Sequence, residues 1–504
     1  MMYRFNDDNT SLLDRLCKIN NIDASNLDIS DFNKIENIKI IDDFKELLLS
    51  LKDKRFFIVG DYDCDGICAT TIIKKLLDDL NISNNYYIPS RSKQGYGLNK
   101  QIVDSAINND FDVLLCVDNG VVAYEALKYA KDNGLVTIVI DHHEYQIKPD
   151  VDAFLHPNLF DSKYDDMCAS GLCCLISNYF RYDELSYVYA GLASLADMVK
   201  VLGYNRYLII KMNELLNAKN FITINNLLQG KIPTYDNLQF EAIPKINAIS
   251  RLEEDMNVNY MVKYLLNYNN EANQYINTII SINNKRKDLS NMSAILANRL
   301  ADTSKSIIVI KSNEFKEGLC GLIANKLMNQ YLKPVIVLSE ENDLLKGSGR
   351  SPKGINLYEY LKNISHLFES FGGHFQAVGL SIKLDNYDEL LKYIESNSID
   401  IEEYYRDILV FKQDDINIDL LNQIEQLKPF GQGFELPLVG IKEPSIKSKV
   451  KIKQKYPKYI LNDNLHAISF KLNEFKDDIV YIIGNIHLDN YYHDIVSMII
   501  EDLV

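Results

Sequence analysis

Apolar and polar positions follow a regular order between about residues 55 and 145: a short apolar run, a polar cluster, then a helix-like stretch. This order predicts alternating strands and helices. Continuous apolar runs at Phe56–Val59, Val113–Val117 and Val136–Ile140 are typical of parallel strands buried on both faces. After the first run, apolar residues at helical spacing predict a helix over residues 67–80. The expected fold class is α/β with a parallel sheet.

The rest of the chain divides where this pattern changes. Residues 256–301 have apolar positions at helical spacing and few helix breakers, which predicts a helical linker. Strand-like runs resume at 307–310 and 335–338, and the turn-rich segment 429–433 precedes short alternating runs typical of a small all-β domain. The predicted boundaries are a catalytic domain at 1–255 with a short N-terminal extension, the linker at 256–303, a smaller α/β domain at 304–425 and the β domain at 426–504.

Composition and charge narrow the class of protein. The chain has 504 residues, too many for one core, and its 47% hydrophobic and 25% charged residues are ordinary for a folded protein. The net charge of −16 argues against indiscriminate coating of nucleic acid, so any nucleic-acid contact must be local. No segment approaches the roughly 18 uncharged apolar residues of a membrane span, and no leader sequence is recognised. We therefore expect a cytoplasmic protein with no membrane partner.

Acidic and imidazole side chains follow each of the three predicted strands. The clusters are Asp61, Asp63 and Asp65 after the first strand, Asp118 after the second, and Asp141-His142-His143 after the third. Ligands bind at the carboxyl ends of the strands of an open parallel sheet, so these clusters are expected to converge. Carboxylates this close repel one another unless cations neutralise them. Mixed carboxylate and imidazole ligation favours two divalent cations, Mn²⁺ or alternatively Mg²⁺, with Zn²⁺ less suited.

Two cations at such a site suit phosphoester hydrolysis. They polarise a phosphoryl oxygen and generate a hydroxide that attacks phosphorus in line with the leaving oxygen. The alternative is that each Asp-rich turn is a helix N-cap or a solvated loop, which is the commoner fate of one such turn. For Asp118-Asn119-Gly120 alone this alternative is preferred, whereas three clusters at one sheet edge favour a metal site.

The order of these motifs resembles a known family. G-D-Y-D-C-D-G, V-D-N-G and D-H-H stand in the order of the first three motifs of the DHH phosphoesterase superfamily, and the segment Leu195-Ala196-Asp197-Met198-Val199 resembles the fourth. Within that superfamily the chain is similar to the single-strand-specific 5′ to 3′ exonucleases over almost its whole length. The resemblance implies a parallel-sheet DHH domain joined by a long helix to a smaller α/β DHH-associated substrate-binding domain, plus a C-terminal OB-like β-barrel.

The resemblance also implies roles for the metal-site residues. The implied ligands are Asp61 and Asp63 for one cation, Asp65, His142 and Asp197 for the other, and Asp118 as the bridge. His143 would face the scissile phosphate, either polarising it or stabilising its developing charge.

A second group of residues is implied to bind substrate. The residues expected around a terminal 5′-phosphate are Arg91, Arg251, Ser348 and Arg350. A planar guanidinium suits this role because it pairs two phosphate oxygens at once. His374, in the segment Gly372-Gly373-His374, would lie near the nucleic-acid path.

The chain departs from the family pattern at three places. Phe315-Lys316-Glu317-Gly318 stands where many members have a Trp-His-Pro-Gly-like stretch, Ser250 replaces a glycine, and Phe434 replaces an expected Asn. None of these changes removes an implied metal ligand, so they concern substrate handling.

The region 441–460 reverses the overall charge. Lys449, Lys451, Lys453 and Lys455 alternate with other residues, and on a strand they would lie on one face. One interpretation is an edge strand that lysines protect from aggregation. The other is an electrostatic track for a single strand on an OB-like barrel.

Three functional hypotheses follow. The first is a 5′ to 3′ exonuclease that hydrolyses single-stranded DNA in repair and recombination, as a monomer that works with a helicase or a single-strand-binding protein. The second is a DHH phosphodiesterase for short oligoribonucleotides or cyclic dinucleotides, a class whose members are typically smaller and lack the third domain. The third is an inactive nucleic-acid-binding scaffold, against which every implied metal ligand is present.

Overall fold

The computed structural model describes residues 2–8, 10–33, 38–91, 94–95, 97–399, 404–489 and 494–504. The strands are β1 Met2–Asn6, β2 Phe56–Val59, β3 Asn84–Tyr87, β4 Val113–Val117, β5 Val136–Ile140, β6 Ala153–Leu155, β7 Ile308–Ser312, β8 Val335–Glu341, β9 Leu344–Arg350, β10 Phe368–His374, β11 Ala377–Lys383, β12 Tyr405–Phe411, β13 Leu438–Lys442, β14 Ser448–Ile452, β15 Tyr456–Ile460, β16 Leu465–Ile468, β17 Tyr481–Leu488 and β18 Val496–Leu503.

The helices are α1 Leu12–Asn20, α2 Lys39–Ser50, α3 Cys64–Asp79, α4 Lys100–Asn108, α5 Tyr124–Asp132, α6 Ala169–Phe180, α7 Glu184–Ala196, α8 Gly203–Ala218, α9 Ile222–Leu228, α10 Tyr235–Asn237, α11 Ile243–Arg251, α12 Asn259–Leu266, α13 Glu271–Leu300, α14 Cys320–Tyr331, α15 Leu357–Lys362, α16 Tyr387–Ser396 and α17 Ile418–Leu427. Short 3₁₀ turns lie at Ala24–Leu27, Ser30–Asn33, Pro157–Leu159, Ser162–Tyr164, Glu317–Leu319, Ser365–Leu367, Leu384–Asn386 and Gln413–Asp415, and a π turn at Leu238–Ala242. None of the described helices is both long and apolar enough to cross a membrane.

The chain forms two compact units, and the larger one, Phe32–Val199 with Tyr207–Glu403, contains two sheets. The first sheet is parallel, with the order β3-β2-β4-β5-β6. Strands β2, β4 and β5 have the bounds that their apolar runs predict, and β2 and β4 are buried throughout. Helix α3 begins earlier than residue 67, because the Asp63 carboxylate accepts a hydrogen bond from Gly66 N and caps the helix there.

The second sheet is mixed, with the order β10-β11-β9-β8-β7. Strands β7 and β8 pair in parallel, and the other described pairs are antiparallel. The helical stretch expected at 256–301 is two helices, α12 and α13, rather than one. Asn267 and Asn270 separate them with φ values of 52° and 65°, a left-handed conformation that asparagine tolerates and that ends a helix. The 30-residue α13 is the long helix of the expected fold.

The smaller unit consists of Met1–Asp31, Lys200–Arg206 and Tyr404–Val504. Its strands form one sheet with the order β1-β12-β13-β17-β18-β16-β15-β14. The N-terminal residues differ from the prediction that placed them in the domain at 1–255: β1 pairs in parallel with β12, and Leu12 and Leu16 of α1 are buried in one core with Leu409. Strand β12 likewise lies before the expected boundary at 426. The remaining domain boundaries stay predictions.

The lysine-rich strand is shorter than its alternation suggests. Strand β14 ends before Lys453, whose φ of 49° begins the turn into β15. The prediction that four lysines share one strand face is therefore wrong: Lys449 and Lys451 share a face, whereas Lys453 and Lys455 lie in the turn. The ammonium group of Lys449 also forms an ion pair with Asp477, which reduces the positive charge available on that face.

Candidate metal centre and guanidinium cluster

Groups from three neighbouring strands meet at one edge of the first sheet. Asp61 follows β2, Asp118 follows β4 and His142 follows β5. His142 Nε2 lies 3.3 Å from Asp118 Oδ1. The same atom lies 3.7 Å from Asp65 Oδ2 and 3.7 Å from Asp197 Oδ2, which comes from the end of α7. The structure thus brings together side chains that are far apart in the sequence.

Three sets of these side chains have ligand atoms that all lie within 4.8 Å of one another. The sets are Asp61, Asp63 and Asp118; Asp65, His142 and Asp197; and Asp118, His142 and His143. Asp118 belongs to two sets, as a residue that bridges two cations would. The donors are oxygen and imidazole nitrogen, which suit Mn²⁺ and, with fewer imidazoles, Mg²⁺.

Several carboxylates of this candidate metal centre are buried close to one another. Asp61 is 3% exposed, and its Oδ1 has no hydrogen-bond partner among the described residues. Burial and the neighbouring charge of Asp63 raise the pKa of Asp61 well above its usual range. Burial and the charge of Asp65 do the same to the pKa of Asp118. Buried, mutually repelling carboxylates with an orphaned oxygen fit divalent cations at this site.

Backbone conformation and close packing place two of these carboxylates. Asp118 has a φ of 59°, a left-handed conformation that costs energy in a residue other than glycine. The next side chain supports this turn, because Asn119 Nδ2 donates to Val59 O at 2.9 Å and to Val117 O at 2.8 Å. Gly66 is required near Asp61, since a Cβ there would lie 2.5 Å from Asp61 O.

Two further ligand candidates are held by helix ends. Both Asp65 oxygens accept backbone hydrogen bonds at the start of α6, from Ala169 N and Ser170 N at 2.8 Å each. Asp197 caps the end of α7. Burial, then the charges of Asp65 and Asp63, raises the pKa of Asp197 to about 8. The neighbouring carboxylates thus add to the effect of burial on Asp197.

The two histidines differ in their partners. His143 Nδ1–H donates to Asp141 Oδ1 at 2.8 Å, and Asp141 Oδ2 accepts from Val121 N at 3.0 Å. Burial alone would lower the pKa of His143, but this hydrogen bond and the charge of Asp141 raise it to about 9. Burial lowers the pKa of His142, which favours the neutral ring that binds metals. Asp141, expected among the cation-binding clusters, instead orients His143.

The arginines predicted to bind phosphate lie close enough to affect one another. Burial, then the charges of Arg91, Arg286 and Arg350, lowers the pKa of Arg251 to about 9. We call Arg91, Arg251, Arg286 and Arg350 the guanidinium cluster. Arg91 and Arg251 also line a cleft of about 770 Å³. Arg286 is a member that no sequence pattern singled out, because it lies inside the long helix α13 at no recognisable motif.

Neutral groups hold three of these guanidinium groups in place. Arg251 Nη1 donates to Gly318 O at 3.0 Å, and Arg350 Nη1 donates to Gly349 O at 2.8 Å. Arg286 donates to Asn283 Oδ1 through Nε at 3.1 Å and Nη2 at 2.7 Å. Among the described residues, no carboxylate lies within 4.0 Å of any of the four guanidinium groups. Guanidinium groups without a carboxylate in ion-pair contact suit the binding of a phosphate group.

The other predicted substrate residues lie in the second sheet. Ser348 and Arg350 share one face of β9. Both side chains approach the first turn of α14, because a Cβ on Gly321 would lie 3.0 Å from Arg350 Nη2 and 3.5 Å from Ser348 Oγ. His374 lies exposed at the end of β10. The departure at Lys316 places an ammonium group in an ion pair with Glu254.

Models of three known domains match successive parts of the chain. The DHH family, N-terminal domain, matches residues 55–196. The DHHA1 domain matches residues 257–398, and the RecJ OB domain matches residues 409–502. These matches confirm the predicted fold class, including the OB-like C-terminal region.

Several known proteins of similar sequence and structure are named RecJ. The chain is 29% identical over 457 residues to the single-stranded-DNA-specific exonuclease RecJ of Bacillus subtilis, covering 85% of this chain and 58% of that protein. The chain thus spans less than two thirds of that relative. The crystal structure of RecJ from Thermus thermophilus with Mn²⁺ has a TM-score of 0.83 and 20% identity over 98% of this chain and 76% of that one. Its Mg²⁺ complex has a TM-score of 0.75 and 18% identity over 97% and 74%.

Proposed function

We propose, on the basis of its match to the RecJ family of DHH proteins, that the chain is an exonuclease that hydrolyses the phosphodiester bonds of single-stranded DNA from the 5′ end. The observation that carries this proposal is the presence of three adjoining ligand groups at the carboxyl edge of the first sheet, in which Asp118 and His142 each belong to two groups. The printed name of the Bacillus subtilis relative supports the substrate class.

The residues of the metal centre would hold two divalent cations, Mn²⁺ or Mg²⁺. We assign Asp61 and Asp63 to one, Asp65, His142 and Asp197 to the other, and Asp118 to both. Such a pair activates water and withdraws charge from a phosphoryl oxygen. Both cations occur in solved RecJ complexes from Thermus thermophilus, which supports the choice of metals.

His143 is the proposed contact to the scissile phosphate. Its pKa of about 9 keeps the ring protonated at neutral pH, so it can donate a hydrogen bond to a phosphoryl oxygen as negative charge develops there. Asp141 fixes the orientation of the ring through the 2.8 Å bond to Nδ1. Burial raises the pKa of Asp141, but the hydrogen bond from His143 and the charge of His143 outweigh burial and lower this pKa to about 2. The proton therefore stays on His143.

The guanidinium cluster is the proposed seat of the terminal 5′-phosphate, with Ser348 beside it and His374 along the strand's path. Arg91 links it to the metal centre, since its guanidinium carbon lies 5.0 Å from the ring centre of Tyr62, which stands between Asp61 and Asp63. A strand whose end is bound here presents a bond near that end to the metals. Hydrolysis would therefore proceed from 5′ to 3′.

We place this activity in DNA repair and recombination in the cytoplasm, where a monomer would act on strands exposed by a helicase or coated by a single-strand-binding protein. The family resemblance supports this role. Sedimentation at enzyme concentrations and pull-down with either partner test it, and a stable oligomer would contradict the monomer.

The test of the proposed activity uses single strands labelled at either end. With Mn²⁺ or Mg²⁺, a 5′ label should be released at once as a mononucleotide, while a 3′-labelled strand shortens gradually. Duplexes should be resistant and a chelator should stop the reaction. Hydrolysis of dinucleotides but not of long strands would instead identify a phosphodiesterase for short or cyclic nucleotides. Binding without any hydrolysis would identify a scaffold.

A further inference from the structure

The segment that carries Arg91 is fastened by side chains from beyond α11. This segment follows β3, which lies at the edge of the first sheet. Asn259 makes two hydrogen bonds to one residue of it: its Oδ1 accepts from Ile88 N at 2.8 Å, and its Nδ2 donates to Ile88 O at 3.0 Å. The tie continues at Tyr86, whose hydroxyl donates to Asn259 O at 3.1 Å.

A second tie lies next to Arg91 itself. One carboxylate oxygen of Glu253 accepts a hydrogen bond from the Ser90 hydroxyl, and the other accepts from Arg91 N at 2.5 Å. Glu253 lies two residues after Arg251, which ends α11. One short stretch of chain therefore carries one arginine of the guanidinium cluster and fastens the segment that carries another.

The atoms that donate hydrogen bonds to Glu253 indicate its role. A carboxylate near an arginine usually pairs with the guanidinium group. Such a pair neutralises the charge of the guanidinium group and occupies its hydrogen-bond donors. Here Glu253 bonds to the backbone and to a neighbouring hydroxyl, and no described carboxylate lies within 4.0 Å of the Arg91 guanidinium. The donors of Arg91 thus stay available to a phosphate.

Without such a tie, Arg91 would tend to leave the cluster. The charges of Arg91, Arg251 and Arg350 repel one another, as the lowered pKa of Arg350 beside Arg91 also indicates after the larger effect of burial. Charge-assisted hydrogen bonds to the backbone are strong enough to oppose this repulsion. The Tyr62 ring also contacts the Arg91 guanidinium, whose carbon lies 5.0 Å from the ring centre.

We propose that Glu253 is a positioning residue: it holds Arg91 in the guanidinium cluster before substrate arrives and thereby sets the preference for a 5′-phosphorylated end. This inference rests on the proposed function. It predicts that Glu253 acts through Arg91, so that removing Glu253 matters for phosphorylated strands and not for 5′-hydroxyl strands.

The test compares kcat/KM for single strands with a 5′-phosphate or a 5′-hydroxyl. Glu253→Ala should lower kcat/KM for the phosphorylated strand by about 10- to 100-fold, the usual effect of a binding group displaced by about 1 Å. Turnover of the 5′-hydroxyl strand should change less than about twofold. Ser90→Ala removes the hydroxyl that donates one of the two hydrogen bonds to Glu253. It should lower the ratio of kcat/KM for the phosphorylated strand to kcat/KM for the hydroxyl strand by a smaller factor. Glu253→Gln keeps an acceptor oxygen and should restore part of the preference.

Two controls separate positioning from a general structural role. Glu254→Ala removes a neighbouring acid that lines the same cleft but pairs with Lys316, and should leave the ratio unchanged. In a double-mutant cycle, Glu253→Ala should have almost no further effect in the Arg91→Ala background. Both changes remove the same interaction, the contact of the Arg91 guanidinium with the 5′-phosphate.

Several outcomes overturn the inference while leaving the proposed hydrolysis intact. Equal loss on both strands, full additivity with Arg91→Ala, or no preference for the phosphate in the unmodified protein would each do so. If Glu253→Ala does not fold, Ser90→Ala and Glu253→Gln carry the test by the same ratio. Absence of hydrolysis by the unmodified protein on either strand would instead refute the proposed function.

Discussion

The metal centre and the guanidinium cluster are both groups of like charges, and they differ in how the chain relieves the repulsion. The carboxylates have shifted pKa values: burial and neighbouring charges raise the pKa of Asp61 and Asp118 well above the usual range. The arginines instead keep their charge and are held in place by hydrogen bonds. Even with its pKa lowered to about 9, Arg251 stays charged at neutral pH, and it is held by the neutral carbonyl of Gly318.

This difference indicates two kinds of counterion. A group whose charge depends on protonation is ready to exchange protons for metal ions, so the metal centre should be sensitive to pH and to chelators. A permanently charged cluster attracts anions over a wide pH range and should respond to salt instead. The following predictions test whether the two clusters behave in these separate ways.

The largest effect is expected at the proposed bridge between the cations. Asp118→Asn should lower kcat on the order of 10³-fold or more, since it removes charge that both cations would share. The same change should raise the melting temperature of the metal-free protein, because it removes one buried, repelled carboxylate. Asp150→Asn makes the same chemical change at a side chain that is 93% exposed and should alter neither measurement. Near-normal turnover of Asp118→Asn would refute the site.

A smaller effect, confined to phosphorylated ends, is expected in the guanidinium cluster. Arg350→Ala should reduce kcat/KM for a 5′-phosphorylated strand by roughly 10- to 100-fold, because a charged phosphate contact is lost. Arg350→Lys should recover little, since an ammonium group lacks the planar fork. Arg299→Ala, at an exposed position in the last turn of α13, is the matched control. Equal losses for Arg350→Ala and Arg299→Ala would mean that net charge alone matters.

The pH dependence of stability should separate the clusters further. Asp197, with a pKa of about 8 in the folded protein, binds more protons there than in the unfolded chain. Its contribution to stability is therefore lost as pH rises from about 4 through 8. The metal-free protein should melt at lower temperature at pH 8 than at pH 6, and Mn²⁺ should reduce this difference. Calorimetric titration should show protons released as Mn²⁺ binds, and absence of release would contradict the raised pKa values.

The smallest effect is expected in the smaller unit. Lys451→Ala should lower the slope of log affinity against log salt for single-stranded DNA by about 0.7, the value for one lost phosphate contact. Lys449→Ala should have a smaller effect, because Lys449 already pairs with Asp477. An unchanged slope for both variants would favour the alternative that these lysines protect an edge strand.

The sequence predicts the metal centre far better than the guanidinium cluster, and the reason is topological. Parallel strands bring their carboxyl ends to one edge, so three apolar runs followed by acids were enough to place Asp61, Asp118 and His142 together. The cluster is assembled from a loop, two helices and a strand of another sheet. No periodicity in the sequence links Arg286 to Arg350. From the sequence alone, Glu253 is indistinguishable from an acid in an ordinary surface ion pair.

Two other features depend on tertiary contacts that the local pattern does not contain. The alternation of lysines continues through Lys455, but the positive φ at Lys453 ends the strand first. The polar start of the chain gives no sign that it pairs with β12. The resemblance to a family identified Asp197, which no strand-end argument would have selected, because it follows a helix.

The pairing of β1 with β12 bears on how the protein is made. Met2 lies opposite Tyr405, so β1 is synthesised about 400 residues before the strand with which it pairs. In sequence, the two segments of the larger unit alternate with the three segments of the smaller one. Contacts between such distant parts of a chain form slowly. The smaller unit should therefore fold after the larger one, and a fragment limited to residues 404–504 should gain stability when residues 2–31 are supplied, even as a separate peptide.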